Sequence, residues 1–188
     1  MNSTSAQFTL AARVLHWLMA ALILTMLFIG VGMVASVSER HDWLIRIHKP
    51  LGIAILILAV VRLAVRLRHP PPPLPADLPP LQKVAALASH WLLYALMFAL
   101  PLIGWAMLSA GGYPIVLAGS VHLPAILPLN LPVYALLRRA HTLLAFAFFA
   151  TILAHVGAAL MHGLIYRDGV FASMASWRSR RTPRAPQA

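Results

Sequence analysis

The sequence predicts an all-α integral membrane protein, a bundle of four transmembrane helices. Composition, the length of the apolar runs and the placement of the basic residues each point to it. Of 188 residues, 61% are hydrophobic and 10% charged, a balance that no soluble domain of this length can hide in its core. Four apolar stretches, residues 14–35, 47–65, 84–108 and 140–165, are long enough to cross about 30 Å of hydrocarbon at about 1.5 Å per residue. Helices are expected because they satisfy their own backbone polar groups, for which lipid offers no partners.

Four spans place the amino-terminal segment, the link between spans two and three, and the tail on one side. That side holds Arg13, Arg62, Arg66, Arg68, Lys83, Arg167, Arg178, Arg180, Arg181 and Arg184, ten of the fifteen basic residues. Both termini are therefore expected in the cytoplasm. The net charge of +11 and the tail Trp177, Arg178, Ser179, Arg180 and Arg181 also suggest nucleic acid. Basic flanks that orient membrane helices explain them better, and no nucleic-acid partner is expected. Arg13 precedes an apolar run ending in small residues near Ala35, as in a signal peptide, but the run is longer than a usual signal core. With no cysteine, disulfides, iron–sulfur clusters and thioether attachment of a cofactor are excluded.

Residues 1–188 read as a single membrane domain, because no connection is long enough to fold separately. Residues 69–80, with prolines at 70, 71, 72, 73, 75, 79 and 80, form a stiff, partly extended cytoplasmic linker. Residues 109–139 are apolar but broken by Gly111, Gly112, Pro114, Pro124, Pro128 and Pro132. They are expected on the periplasmic face as loops or short interfacial turns. Residues 170–188 form a basic cytoplasmic tail.

Nine histidines in so apolar a chain are costly, and ionisable side chains within spans usually face the bundle interior and serve function. His141 and His155 lie fourteen residues apart, which at about 100° per residue returns to within about 40° of the same face after a rise of about 21 Å. Span four thus offers one ligand near each membrane surface. His16 opens span one on the inside and His48 opens span two on the outside, so antiparallel threading pairs His16 with His155 and His48 with His141. Gly30 lies fourteen residues after His16, and Gly52 one turn after His48; without side chains they let a porphyrin face approach the helix. Arg62, fourteen after His48, falls at the inner depth, where a guanidinium can neutralise a propionate.

A lone buried histidine is ordinarily a core residue bonded to a carbonyl or hydroxyl, but four that pair by depth and face favour two haems held non-covalently. A zinc site would cluster its third and fourth ligands with the first two. A proton relay remains open but leaves the glycines unexplained.

The sequence resembles the bacterial cytochrome b561 family over nearly its whole length. The resemblance is carried by Leu15, His16 and Trp17; by His48 with Gly52, Val61, Arg62, Leu63 and Arg66; by the proline link; by Ala99, Leu100, Pro101, Leu102, Ile103 and Gly104; and by His141, His155 and His162 before Tyr166, Arg167 and Asp168. It implies a bundle enclosing two b haems, the inner ligated by His16 and His155 and the outer by His48 and His141, exchanging electrons with ubiquinone in the inner membrane of a bacterium. Similar members are superoxide oxidases, which pass an electron from periplasmic superoxide to ubiquinone. Larger relatives instead anchor a peripheral hydrogenase or dehydrogenase subunit, so a quinone-linked anchor is the alternative.

Two groups of residues bear on that choice. Arg46, Lys49, Arg138 and Arg139 crowd the outer ligands against only Glu39 and Asp42. Such a patch draws a small anion, and steering of this kind raises association rates about ten- to a thousandfold; binding of lipid phosphate or propionates is the competing use. His162 lies seven residues beyond His155, about 10 Å nearer the cytoplasm, and is the candidate for bonding a quinone carbonyl, with a propionate contact as the alternative. His90, near Trp91 and Tyr94, either lines the same pocket or serves packing; His41, His69 and His122 receive no role.

Overall fold

The computed structural model describes residues 7–35, 37–76, 78–117 and 121–176. Of the expected basic tail, Trp177, Arg178, Arg180, Arg181 and Arg184 lie outside the described residues. Among the described residues, four helices are long and apolar enough to cross a membrane: α1 (Leu10–Val34), α2 (Glu39–Arg68), α3 (Pro80–Ala110) and α4 (Leu131–Leu160), the last continuing into a π-helical turn (Met161–Tyr166). A two-stranded antiparallel hairpin of β1 (Ile115–Val116) and β2 (His122–Leu123) joins α3 to α4. A short helix, α5 (Val170–Ala175), follows the π turn.

The helix ends follow local chemistry. Thr9 caps α1 by accepting from the Ala12 amide at 3.3 Å, and Pro79 and Pro80 open α3, where a missing N–H costs nothing. Pro50 and Pro101 lie inside α2 and α3, positions that membrane helices tolerate when neighbours re-satisfy the backbone. The region 109–139 is more ordered than expected. Asn130 Oδ1 accepts from the Val133 amide at 3.1 Å and Pro132 sits in the first turn, so Pro132 starts a helix. Residues 131–139 accordingly belong to α4, two and a half turns before the apolar stretch begins.

The remaining outer loop is pinned to the end of α3. Ser109 Oγ donates to the Trp105 carbonyl and accepts from the Ile126 amide, and Trp105 Nε1 donates to Pro124 O at 2.9 Å. At the opposite end, the Phe8 amide donates to Ser173 O, Trp17 Nε1 donates to Met174 O, and the Arg13 guanidinium donates to Ser176 O. These bonds tie α5 to α1 and place both ends of the described chain at one end of the bundle.

Along the bundle, α1 packs on α2, α3 on α4, and α2 meets α3, whereas the backbone of α4 does not pack closely on α1 or α2. The core that spans this opening is small: Met19, Ala59, Tyr94, Leu96, Met97 and Phe148. Phe148 is the buried residue of α4, and it stands seven residues from each of His141 and His155. It closes the middle of the bundle and leaves a histidine level on either side.

Candidate functional site

Each level is made where imidazoles face one another across the opening between α4 and the α1–α2 pair. At the inner end, the rings of His16 and His155 have centroids 6.2 Å apart with planes at 70°. At the outer end, His48 and His141 repeat the arrangement at 6.2 Å and 65°. An imidazole nitrogen lies about 1 Å from its ring centre and binds a metal at about 2 Å, so two rings on opposite sides of one ion bring their centres about 6 Å apart. The spacing of both pairs fits one ion each. The Nδ1 atoms of His48 and His141 are buried without a hydrogen-bond partner among the described residues, which is uncommon for buried polar atoms. No cluster of three or more His, Cys, Asp or Glu placed to hold a metal occurs among the described residues. The donor set, two facing imidazoles per level, would suit a haem iron held between them.

The helices mark the same two depths by residues fourteen apart. On α1 these are His16 and Gly30, on α2 His48 and Arg62, on α3 His90 and Gly104, and on α4 His141 and His155. Gly30 faces open space, with nothing within 4 Å of where its Cβ would stand. Gly52 faces the Met26 methyl at 3.7 Å, and Gly104 faces His141, 3.5 Å from Cε1. The outer level thus combines two histidines with glycines from the other two helices. The inner level combines three histidines and an arginine. Arg62 Nη2 lies 3.1 Å from His16 Nδ1 and Nη1 donates to Ala12 O at 3.4 Å, and the His90 ring lies 5.4 Å from His155. That separation is shorter than the one expected for two rings on opposite sides of a single ion, and His90 meets His155 edge-on beside the pair. Arg66 stacks over Trp91 and Tyr94 at 5.7 and 5.6 Å from the ring centres.

Of the outer cations, Arg46, Arg138 and Arg139 are exposed and Lys49 is half-buried, donating to Pro114 O at 3.3 Å. Glu39 and Asp42 are exposed nearby in sequence. At the inner end, His162 sits in the π turn, its Nδ1 2.5 Å from Asp168 Oδ2 and its ring 5.3 Å from that of Tyr166. In the sequence, Gly104 and Asp168 stand out only as residues of the family resemblance, and Phe148 does not stand out. The fourteen-residue interval from His90 marks Gly104, and the midpoint between His141 and His155 marks Phe148. Asp168 had no periodic signal, because the chain reverses between it and His162.

A bundle that brings four histidines from three helices into two facing pairs, one toward each end, has the donor set that a b-type membrane cytochrome requires. The model for prokaryotic cytochrome b561 matches residues 7–177, and the chain belongs to that family. It is 30% identical over 161 residues to the probable superoxide oxidase CybB of Yersinia pestis, covering 85% of this chain and 90% of that protein. It is 33% identical over 130 residues to cytochrome b561 homolog 2 of Escherichia coli K12, covering 67% of this chain and 68% of that one. Cytochrome b561 homolog 1 of the same bacterium is 29% identical over 168 residues, 85% of this chain and 92% of that one. Family membership makes the chain a bacterial membrane protein of electron transport, with b haem as the group the family carries.

Proposed function

We propose that the chain holds two b haems, one between His16 and His155 and one between His48 and His141, and moves electrons from superoxide at the outer face to ubiquinone at the inner face. The observation that carries the reading is the pair of imidazole couples with the same 6.2 Å separation at two depths. When bound, the haems would supply one-electron redox chemistry at each level. The basic bias of the inner side supports a cytoplasmic placement of both termini.

The chain's own residues position and steer. Arg46, Lys49, Arg138 and Arg139 give the outer face a positive field that attracts an anion such as superoxide. Gly30 leaves room for a flat ring. Arg62 places a guanidinium beside the inner ligand, able to meet a propionate. His162 offers a hydrogen bond to a quinone oxygen near the inner surface. The balanced reaction takes two superoxide ions, one ubiquinone and two protons to two dioxygen and one ubiquinol. The name of the Yersinia relative supports the donor.

The test is to mix the purified haem-loaded chain with a pulse of superoxide and follow the haem bands and quinol together. Rapid haem reduction, with one quinol for every two superoxide ions, is the expected result. Oxidised haems left untouched by superoxide would remove the enzyme and favour an anchor that relays electrons between quinone and a peripheral dehydrogenase or hydrogenase.

A further inference from the structure

The π turn at the end of α4 is followed by a tight reversal with a single outcome: it returns Asp168 onto His162. Arg167 takes a left-handed conformation, φ 51°, the one non-glycine residue with positive φ among the described residues, and Gly169 follows at φ 85°. A bulky side chain rarely accepts that region, and a backbone outlier held beside ionisable groups points toward function. π turns likewise concentrate at functional sites.

Both oxygens of Asp168 are engaged. Oδ1 accepts from the Val170 amide at 3.1 Å, and Oδ2 lies 2.5 Å from His162 Nδ1. An ionised carboxylate can only accept, so the Nδ1 hydrogen of His162 is fixed on Asp168. Nε2 makes no hydrogen bond among the described residues. The pair keeps 14% and 20% of its side-chain surface exposed, enough to exchange protons with water. Other polar groups are turned elsewhere: Arg167 Nε donates to Leu164 O, α5 contains no ionisable side chain, and Tyr166 meets the imidazole through its ring.

From this geometry we infer that Asp168 and His162 form a proton-delivery pair for the quinone, with Asp168 as a positioning residue and His162 Nε2 as the donor. The inference rests on the reading of His162 as a quinone contact and adds the chemistry at that contact. Ubiquinone takes up two electrons, which come from two superoxide ions, and two protons. One proton leaves Nε2 as its N–H bond breaks and an O–H bond forms on the quinone; the other comes from water. The ring then keeps its Nδ1 hydrogen on Asp168 and regains the Nε2 proton from the aqueous phase. A histidine oriented by a carboxylate, cycling its far nitrogen between acceptor and donor, is the general acid–base layout.

The decisive substitution is Asp168→Asn. Asparagine can still cap the Val170 amide through Oδ1, so the turn is kept, whereas its NH2 group takes away both the negative charge opposite the imidazole and the acceptor for the Nδ1 hydrogen. The experiment uses the full haem-loaded chain, reduced with stoichiometric dithionite and mixed rapidly with a short-chain ubiquinone, with haem reoxidation followed against quinone concentration. Asp168→Asn should keep both haem spectra and change KM less than about twofold while lowering kcat about ten- to a hundredfold. Asp168→Glu should recover most of the loss. His162→Asn, which retains a donor for Asp168 but no second ring nitrogen, should show the same fall in kcat.

Wild-type kcat in Asp168→Asn would overturn the pair and leave the quinone contact standing. Loss of haem in Asp168→Asn would make the pair structural and also overturn the proposal. If the reduced wild-type chain does not pass electrons to the quinone, the quinone reading falls and the pair falls with it. Because dithionite replaces superoxide, a failure of the donor reading leaves this test unaffected.

Discussion

Gly104 offers a direct test of where the outer imidazole stands. The position of its missing Cβ is 3.5 Å from His141 Cε1 and 3.7 Å from Nδ1. Alanine would place its methyl at ordinary van der Waals contact, and replacing glycine by alanine within a helix gains roughly 0.5–1 kcal/mol. Valine adds methyl groups about 1.5 Å further out, well inside the optimal carbon–carbon separation of about 3.5–4.0 Å. The imidazole must then swing from its position opposite His48. Overpacking of this kind costs about 1–3 kcal/mol, which corresponds to about five- to 150-fold weaker haem retention at the outer level. The assay is the haem-to-protein ratio of the purified variants together with a redox titration. Gly104→Ala should match the wild type, and Gly104→Val should lose one redox component while the level of His16 and His155 persists. A Gly104→Val protein with full haem content and unshifted spectra would refute the placement of His141 against α3.

Two further substitutions probe the charges. Arg138→Gln with Arg139→Gln removes two exposed cations; at about 10 Å in water each contributes about 0.4 kcal/mol to an approaching monovalent anion. The pair should therefore slow the donor reaction about fourfold at low salt, and the difference should shrink near physiological salt, where the Debye length is about 8 Å. Unchanged kinetics at both salt levels would assign these arginines to lipid phosphate. Arg62→Met removes the guanidinium that touches His16. Loss of a positive charge disfavours the reduced state, by up to about 2 kcal/mol at about 8 Å with an effective dielectric near 20. The inner midpoint should drop by tens of millivolts in a redox titration, and an unmoved midpoint would show that Arg62 does not act on that level.

Much of this architecture is legible in one dimension because a membrane helix has few ways to place a polar residue. His141 and His155 announce two depths on one helix, and His16 and His48 can meet them only at those depths, as the ring separations report. What escaped the sequence depends on contacts that no period encodes. Pro132 reads as a breaker until Asn130 is seen to cap the helix that it begins. Gly52 has the spacing of a cofactor-facing glycine, yet a flexible Met26 covers it. His90 keeps the helical interval to Gly104, but only the fold shows that its ring stands against His155. The meeting of Asp168 with His162 needs a left-handed Arg167, a conformation that arginine itself does not signal.

The most direct measurement is the number of b haems per purified chain, counted against protein in the wild type and in single substitutions of His16 and His48. Two haems per chain are expected, each in a low-spin state with two histidine ligands, and each substitution should reduce the ratio to one by removing a different redox component. A ratio of one in the wild type, or the same component lost from both variants, would contradict two independent imidazole clamps at the two depths.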